Sequence, residues 1–400
     1  MKRKILFLSV VMLSLVFAGC QKNDQIQVQD NTSSLKSASI NNKYIVVLNE
    51  DAILAKSDLQ TRNASVKAKA LGLLKKFEIT GEVEEVYETA LQGFTVKMAP
   101  GQAKKMGEDP DVKYVEPDQV IALSPIELNG KPSGGGTTQP AQTTPWGIGR
   151  VGGVTTYTGS NVAWIIDTGI DYTHPDLLNL VDTKKSKTFI SRTSSANDDN
   201  GHGTHVAGII AALNNDIGVI GVAPGAHLVA VKVLDSRGSG TTSGVIAGVD
   251  YVAAAAAKGD VANMSLGGGV STSLDAAVLT ASANVKFALA AGNETDYASN
   301  HSPARVNGPN IYTVSAIDFK DNWASWSNFS DARSSDNSPI DYCAPGVSIL
   351  SCYKGGGYAT MSGTSMAAPH VAGLLILGVI KTDGTVIGDP SAPNDAIAHH

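Results

Sequence analysis

Ala163-Trp164-Ile165-Ile166-Asp167-Thr168-Gly169 is an apolar run that stops on a carboxylate followed by a glycine turn. It reads as a buried strand delivering Asp167 at its carboxyl end. Working outward, strand-like and helical apolar runs alternate: Val162 to Ile166, Val206 to Leu213, Leu228 to Val233, Val245 to Ala257 and Val285 to Ala290. Such alternation predicts an α/β fold, a parallel sheet with helices on both faces. In open sheets of this kind, ligands and chemistry gather beyond the carboxyl ends of the strands, which is where Asp167 falls.

Two further stretches carry reactive side chains. Asn200-Gly201-His202-Gly203-Thr204-His205-Val206-Ala207-Gly208 places a glycine-flanked histidine at the opening of a helix. Ser362-Gly363-Thr364-Ser365-Met366-Ala367-Ala368-Pro369-His370 presents serine among small residues at the start of another. A serine hydroxyl is a weak nucleophile unless a base takes its proton and a carboxylate holds that base in one tautomer. The three stretches contain residues of those three types, Asp167, His202 and Ser365. His205 follows His202 by three residues, but the glutamate of an H-E-x-x-H zinc helix is missing, so His205 is expected to be a packed structural residue. Asp171 and Asp176 are expected to be loop carboxylates. No G-x-S-x-G elbow surrounds Ser365, which argues against an esterase.

These three stretches, in this order and at these wide separations, resemble the subtilisin family over about residues 145–380. The resemblance implies a doubly wound, mostly parallel sheet and a serine endopeptidase working through an acyl-enzyme. Asp167, His202 and Ser365 would be its triad, with the serine before Met366 as nucleophile rather than Ser362. Phe287-Ala288-Leu289-Ala290-Ala291-Gly292-Asn293 is similar to the strand that ends on an oxyanion donor. Asn293 would supply one donor and the Ser365 backbone N–H the other. Asn263-Met264-Ser265-Leu266-Gly267-Gly268 and Gly238-Ser239-Gly240 resemble the two edges between which a substrate pairs as an added strand. Ser265, Leu266, Gly267, Gly238, Ser239 and Gly240 are therefore expected to bind substrate, with broad specificity leaning apolar or aromatic. Glu294 is expected at the pocket rim, where it would tolerate a basic residue.

The same resemblance implies a structural calcium site. Ala141 to Gly147 and Leu213 to Val219 are similar to the mature N-terminus and the calcium loop of the family. Side chains of Gln142, Asp176 and Asn215 would join carbonyls of Leu213, Ile217 and Val219. A tight turn without an ion is the alternative.

Ahead of the peptidase-like region, residues 41–123 follow a β-α-β-β-α-β, ferredoxin-like order and end on Tyr114-Val115-Glu116-Pro117-Asp118. This resembles the inhibitor-type (I9) propeptide of subtilisin-like proteases, expected to inhibit the enzyme in the precursor. Residues 124–144, rich in Pro, Gly, Ser and Thr, read as a linker and processing region. Self-cleavage is expected between Leu123 and Thr144, first near Leu123 or Ser124. The peptidase domain is expected over 145–385 and a tail over 386–400, shorter than the family usually has.

At the N-terminus, Lys2, Arg3 and Lys4 precede an apolar run from Ile5 to Ala18, too short to span a bilayer but suited to an export signal. Val16-Phe17-Ala18-Gly19-Cys20 resembles a bacterial lipobox. Residues 1–19 would then be a lipoprotein signal, Cys20 the lipidation site and 20–40 a tether, making the precursor an exported cell-envelope lipoprotein. An ordinary secretory signal is the alternative. Cys343 and Cys352 remain, either as a local disulfide or as two small apolar residues in neighbouring strands. A net charge of −6 gives no reason to expect nucleic acid. Protein or peptide substrates and a monomer are expected. A catalytically dead peptide-binding protein is the rival from another functional class.

Overall fold

A computed structural model describes residues 38–49, 59–123, 127–128, 139–331, 340–378, 380–391 and 393–400. The expected signal, Cys20 and most of the tether lie outside the described residues.

The first folded segment runs β1 (Ser39–Leu48), α1 (Leu59–Lys76), β2 (Val83–Tyr87), β3 (Gly93–Lys97), α2 (Pro100–Met106) and β4 (Val112–Ala122). Strand β1 pairs antiparallel with β3 and β4, and β2 joins outside β3. Side chains alternate between faces along a strand. Val46, Leu48, Phe94 and Val96 therefore meet Val66, Ala70 and Leu73 of α1 in one core. Ile45 and Val47 emerge on the opposite face and join the core of the following segment. Ser39 and Ile40, expected in the tether, already belong to β1.

The second segment continues with β5 (Glu127–Leu128), α3 (Trp146–Arg150), β6 (Val162–Asp167), β7 (Lys187–Thr188), α4 (His202–Ala211), β8 (His227–Lys232) and β9 (Ser239–Thr241). There follow α5 (Thr242–Ala255), β10 (Val261–Met264), α6 (Thr272–Ala281), β11 (Lys286–Ala290), β12 (Ile311–Ile317) and β13 (Tyr342–Pro345). The chain closes with β14 (Ile349–Tyr353), β15 (Gly357–Ser362), α7 (Thr364–Leu377), β16 (Lys381–Thr385) and β17 (Ala396–His399).

The large sheet has the order β16-β17-β13-β12-β11-β10-β6-β8-β7, and every pairing but β16 with β17 is parallel. Ala163 and Ile165 of β6 face one core with residues of α4 and α7. Trp164 and Ile166 face the other with residues of α5 and α6. Each fully buried aliphatic side chain in these layers contributes about 1.5–3 kcal/mol. Trp164 is wholly buried, and its indole N–H donates to Asp260 Oδ2 at 2.9 Å.

Two expectations are corrected. Cys343 and Cys352 are free. Cys343 lies on β13 of the large sheet, its Sγ 3.4 Å from the Ala396 carbonyl. Cys352 lies on β14, in a separate sheet of β14, β15 and β5, and packs in the core that holds α4. The eight residues between them cross from one sheet to another, so neither the disulfide nor the neighbouring-strand arrangement holds. The segment expected as a tail also folds: β17 pairs with β13 inside the large sheet, and Val386 and Ile397 are buried beside Cys343.

Candidate active site

The chain passes from β6 to β8 on one side of the sheet and then to β10 on the other. This reversal opens a crevice beyond the carboxyl ends of the strands. Asp167 ends β6, Ser265 follows β10 and Asn293 follows β11, and these three strands are neighbours. The residue types at the crevice come from adjacent strand ends, although more than a hundred residues separate Asp167 from Asn293 in sequence.

Asp167 is fully buried. Its Oδ1 accepts the Thr168 backbone N–H at 2.7 Å, and His202 Nδ1 lies 2.8 and 2.9 Å from its two oxygens. His202 opens α4 after Gly201, whose φ of +117° is a left-handed conformation open to glycine, and where a Cβ would run into the Tyr353 ring. Asp198 fastens this turn. Its carboxylate accepts the Gly201 and Thr204 backbone N–H groups and the Thr204 and Thr168 hydroxyls. With Nδ1–H given to Asp167, the lone pair of His202 sits on Nε2. That atom is buried and has no hydrogen-bond partner among the described residues.

Ser365 lies in the first turn of α7. Its hydroxyl donates to the Ser265 carbonyl at 3.3 Å, while Ser265 Oγ donates to the Ser365 carbonyl at 2.9 Å. Asn263 Nδ2 donates to Ser265 Oγ at 2.9 Å, tying β10 to the serine turn. Asn293 Oδ1 accepts both the N–H and the hydroxyl of Thr364, at 2.9 and 2.8 Å. That clamp turns the amide nitrogen of Asn293 toward Gly363, two residues before Ser365. Thr364, Asp198 and Asn263 had no role in the sequence reading. Thr364 stood inside a quoted motif, but its bond to Asn293 spans 71 positions.

A pocket opens beside Ser365. Leu266, Gly267, Ala290 and Ala291 form its apolar walls, and Glu294 and His301 line it with polar groups. Glu294 thus lines the pocket. Its Oε2 accepts from Asn328 Nδ2 at 2.7 Å.

The edges expected to hold substrate hold a piece of this same chain. In β4, Ile121 pairs with Gly240 and Ala122 with Ser239, and the Leu123 N–H donates to the Gly238 carbonyl at 3.0 Å. On the other side Ala122 and Gly267 exchange two backbone bonds of 3.4 Å. Further on, β5 pairs with β15, Glu127 opposite Ser362. The first segment also meets α5 and α6. Asp118 accepts the Ser243 N–H and hydroxyl at 2.9 and 2.6 Å, and Glu116 accepts those of Ser273 at 2.8 and 2.6 Å. Both serines lie in first helical turns, where backbone N–H groups have no intrahelical partner. In return, Asp250 of α5 accepts the N–H groups of Thr89 and Ala90 at 2.8 and 2.7 Å.

The six residues proposed for calcium include three whose side chains converge. Buried Asp176 accepts from Asn215 Nδ2, the Val219 N–H and the Tyr358 hydroxyl, at 3.1, 3.0 and 2.9 Å. Gln142 Oε1 accepts the Asn215 N–H at 2.6 Å, and Ala141 bridges Ile217. Leu213 N–H donates to the Asp176 carbonyl at 3.0 Å. Gly218, at φ +58°, brings the turn so close that a Cβ there would strike Tyr358 and the Asp176 carboxylate. Asn215 Oδ1 accepts the Ile217 N–H at 2.9 Å, so these side chains offer one carboxylate and two amide oxygens, the hard donors calcium takes, each engaged in hydrogen bonds within the loop.

The other candidates are structural. His205 Nε2 lies 3.1 and 3.0 Å from the carbonyls of Ile349 and Ala359, and burial pushes its pKa down to about 3. Asp171 is a loop carboxylate accepting from Thr173 and Gly355. Ser362 Oγ accepts the Ser348 N–H at 2.9 Å.

Comparison with known proteins places this geometry. Residues 159–382 match the subtilase family, Peptidase_S8, and residues 43–124 match peptidase inhibitor I9. Alkaline serine exoprotease A of Vibrio alginolyticus is 37% identical over 354 residues, which cover 85% of this chain and 60% of that protein. Subtilisin E of Bacillus subtilis (strain 168) is 37% identical over 393 residues, covering 95% of this chain and 90% of that one. A crystal structure of a cold adapted subtilisin-like serine proteinase, 38% identical, superposes with a TM-score of 0.55 over 64% of this chain and 97% of its own.

Proposed function

The chain belongs to the subtilase family, and from that premise we propose that it is a self-processing serine endopeptidase in which Ser365 is the nucleophile. The observation that carries this reading is the buried Asp167–His202 pair, which leaves His202 Nε2 without a partner at the crevice that holds Ser365. Ser365 Oγ attacks the peptide carbonyl as its proton passes to Nε2. Asp167 holds the imidazole tautomer and stabilises the imidazolium that forms. The oxyanion forms toward Asn293 Nδ2 and the Ser365 N–H, donors fixed before reaction. His202 then returns the proton to the leaving amine, giving the acyl-enzyme. A water activated by the same nitrogen releases the acid.

Residues 41–123 act as propeptide, 124–144 as processing region and 145–385 as peptidase body, extended by the sheet strand at 396–399. The inhibitor segment fills the cleft as a product-like strand, held by Gly238, Ser239 and Gly240 on one side and Gly267 on the other. Apolar walls favour an apolar or aromatic side chain before the scissile bond, and Glu294 adds tolerance of a basic one. Gln142, Asp176 and Asn215, with the carbonyls of Leu213, Ile217 and Val219, would hold a calcium ion. When bound it links three chain segments and supplies stability rather than chemistry. Residues 1–19 direct export, and Cys20 anchors the precursor to a membrane by its lipid. The cut leaves that lipid on the propeptide and frees the peptidase, acting as a monomer.

Purified precursor tests this directly. The native chain is expected to cut itself between Leu123 and Thr144, at a rate independent of dilution, and then to hydrolyse protein. Ser365→Ala is expected to stay whole while folded. Equal processing in both chains would overturn the reading.

A further inference from the structure

The end of the pocket beside Ser365 is unlike its apolar walls. His301 lines it, and its Nε2 lies 3.1 Å from Asp296 Oδ2. Glu294 lines the same pocket. The imidazole is half-buried, with 19% of its side chain exposed, so its charge is felt inside the pocket rather than dispersed in solvent. Asp296 stays ionised: burial pushes its carboxyl up, but hydrogen bonds from Asn300, the Tyr297 N–H and His301 hold it below the ordinary value. Arg305 follows on the same turn. Its N–H donates to the His301 carbonyl, while its guanidinium reaches away to Asp275 at 3.5 Å.

We propose that His301 is a specificity-determining residue that makes the choice of side chain before the scissile bond depend on pH. With a neutral imidazole, Glu294 is the carboxylate on the pocket lining, Asp296 lies behind the imidazole, and a lysine side chain is accepted. With an imidazolium, His301 puts a positive charge on the pocket lining, and a like charge meets an entering ammonium. Imidazole is the side chain whose charge changes most readily near neutral pH. This rests on the reading of Ser365 as nucleophile, and it goes beyond that reading by assigning the residue that gates a basic side chain and its dependence on pH.

The test uses the processed enzyme and two peptides that differ in one residue before the scissile bond, lysine in one and methionine in the other. Their kcat/KM ratio cancels the protonation of His202, which both substrates share. The lysine-to-methionine ratio is expected to rise about fivefold between about pH 5.5 and about pH 8.5, the effect of one unit charge a few ångströms away. In His301→Gln the ratio is expected to be flat, and in Glu294→Gln lower at every pH. A native ratio that stays within roughly twofold would overturn the proposal, as would an undiminished rise in His301→Gln. If His301→Gln does not fold, the slope of the native enzyme decides. Failure of the peptidase reading is distinguishable, because then neither peptide is cut.

Discussion

The inhibitor segment meets the peptidase on two sides, and the two contacts are built differently. In the cleft, Ile121, Ala122 and Leu123 bind through their backbones to Gly240, Gly267 and Gly238. On the helix side, Asp118 and Glu116 reach the first turns of α5 and α6, and Asp250 reaches back to a propeptide loop. Backbone pairing asks little of side-chain identity, so the cleft can accept many peptides in turn. Carboxylates on the first-turn N–H groups of helices are particular to this partner. On the reading proposed above, the difference separates reaction from recognition: one contact would be where a chain is cut, and the other would keep this segment bound after the cut.

Substitutions should dissociate the two. Ser365→Ala is expected to lower peptide hydrolysis by about a millionfold, of the size seen when a related peptidase loses a triad member, with docking of the inhibitor segment unchanged. Asn293→Leu should cost about a hundred- to thousandfold in kcat with little change in KM, because its donor acts on the oxyanion. Asp118→Asn and Asp250→Asn leave chemistry intact. Each should weaken retention of the cut segment by about ten- to hundredfold, seen as a shorter lag before activity appears, since each loses charged hydrogen bonds worth about 1.5–3 kcal/mol. Equal effects of all four on processing would erase the distinction.

Away from both contacts, chelation of the processed enzyme should lower Tm by about 5 °C or more, the loss of a ligand bound to the folded state alone. The smallest effect expected is on pH. Burial pushes His205 to about 3 and His370 to about 4. The unfolded chain therefore binds more protons than the folded one between those values and 6.5, the ordinary histidine value. Their stabilisation is complete above that range and is lost as pH falls through it. Asp395 runs the other way. Burial and the nearby Asp389 carboxylate push it to about 8, so its contribution declines as pH rises toward that value. Replacing it with Asn should remove that decline, which runs from 3.8 to about 8, from a Tm-against-pH curve.

The parts of the site visible in sequence were those with local backbone requirements. Asp167 ends an apolar strand, a left-handed glycine precedes His202, and Ser365 stands among small residues at a helix start. Each need leaves a trace within ten residues. His301, Asn328, Asp198 and the clasp of Thr364 on Asn293 depend on which loops meet, and no local pattern reports that. Cys343 and Cys352 were misjudged for the same reason, because spacing does not say that β13 and β14 lie in different sheets. Residues 386–400 read as a tail because Pro, Asp and Ala suit a loop, although four of them form a strand inside the large sheet. The reach of β4 to Ala122 also escaped local reading, since those strand residues are ordered by pairing with β9.

Labelling with a fluorophosphonate, followed by mass mapping, tests the central claim most directly. The processed enzyme should carry one adduct, on Ser365, and Ser365→Ala and folded but uncut precursor should carry none. An adduct on another serine, or no adduct in processed enzyme that still hydrolyses protein, would contradict the account.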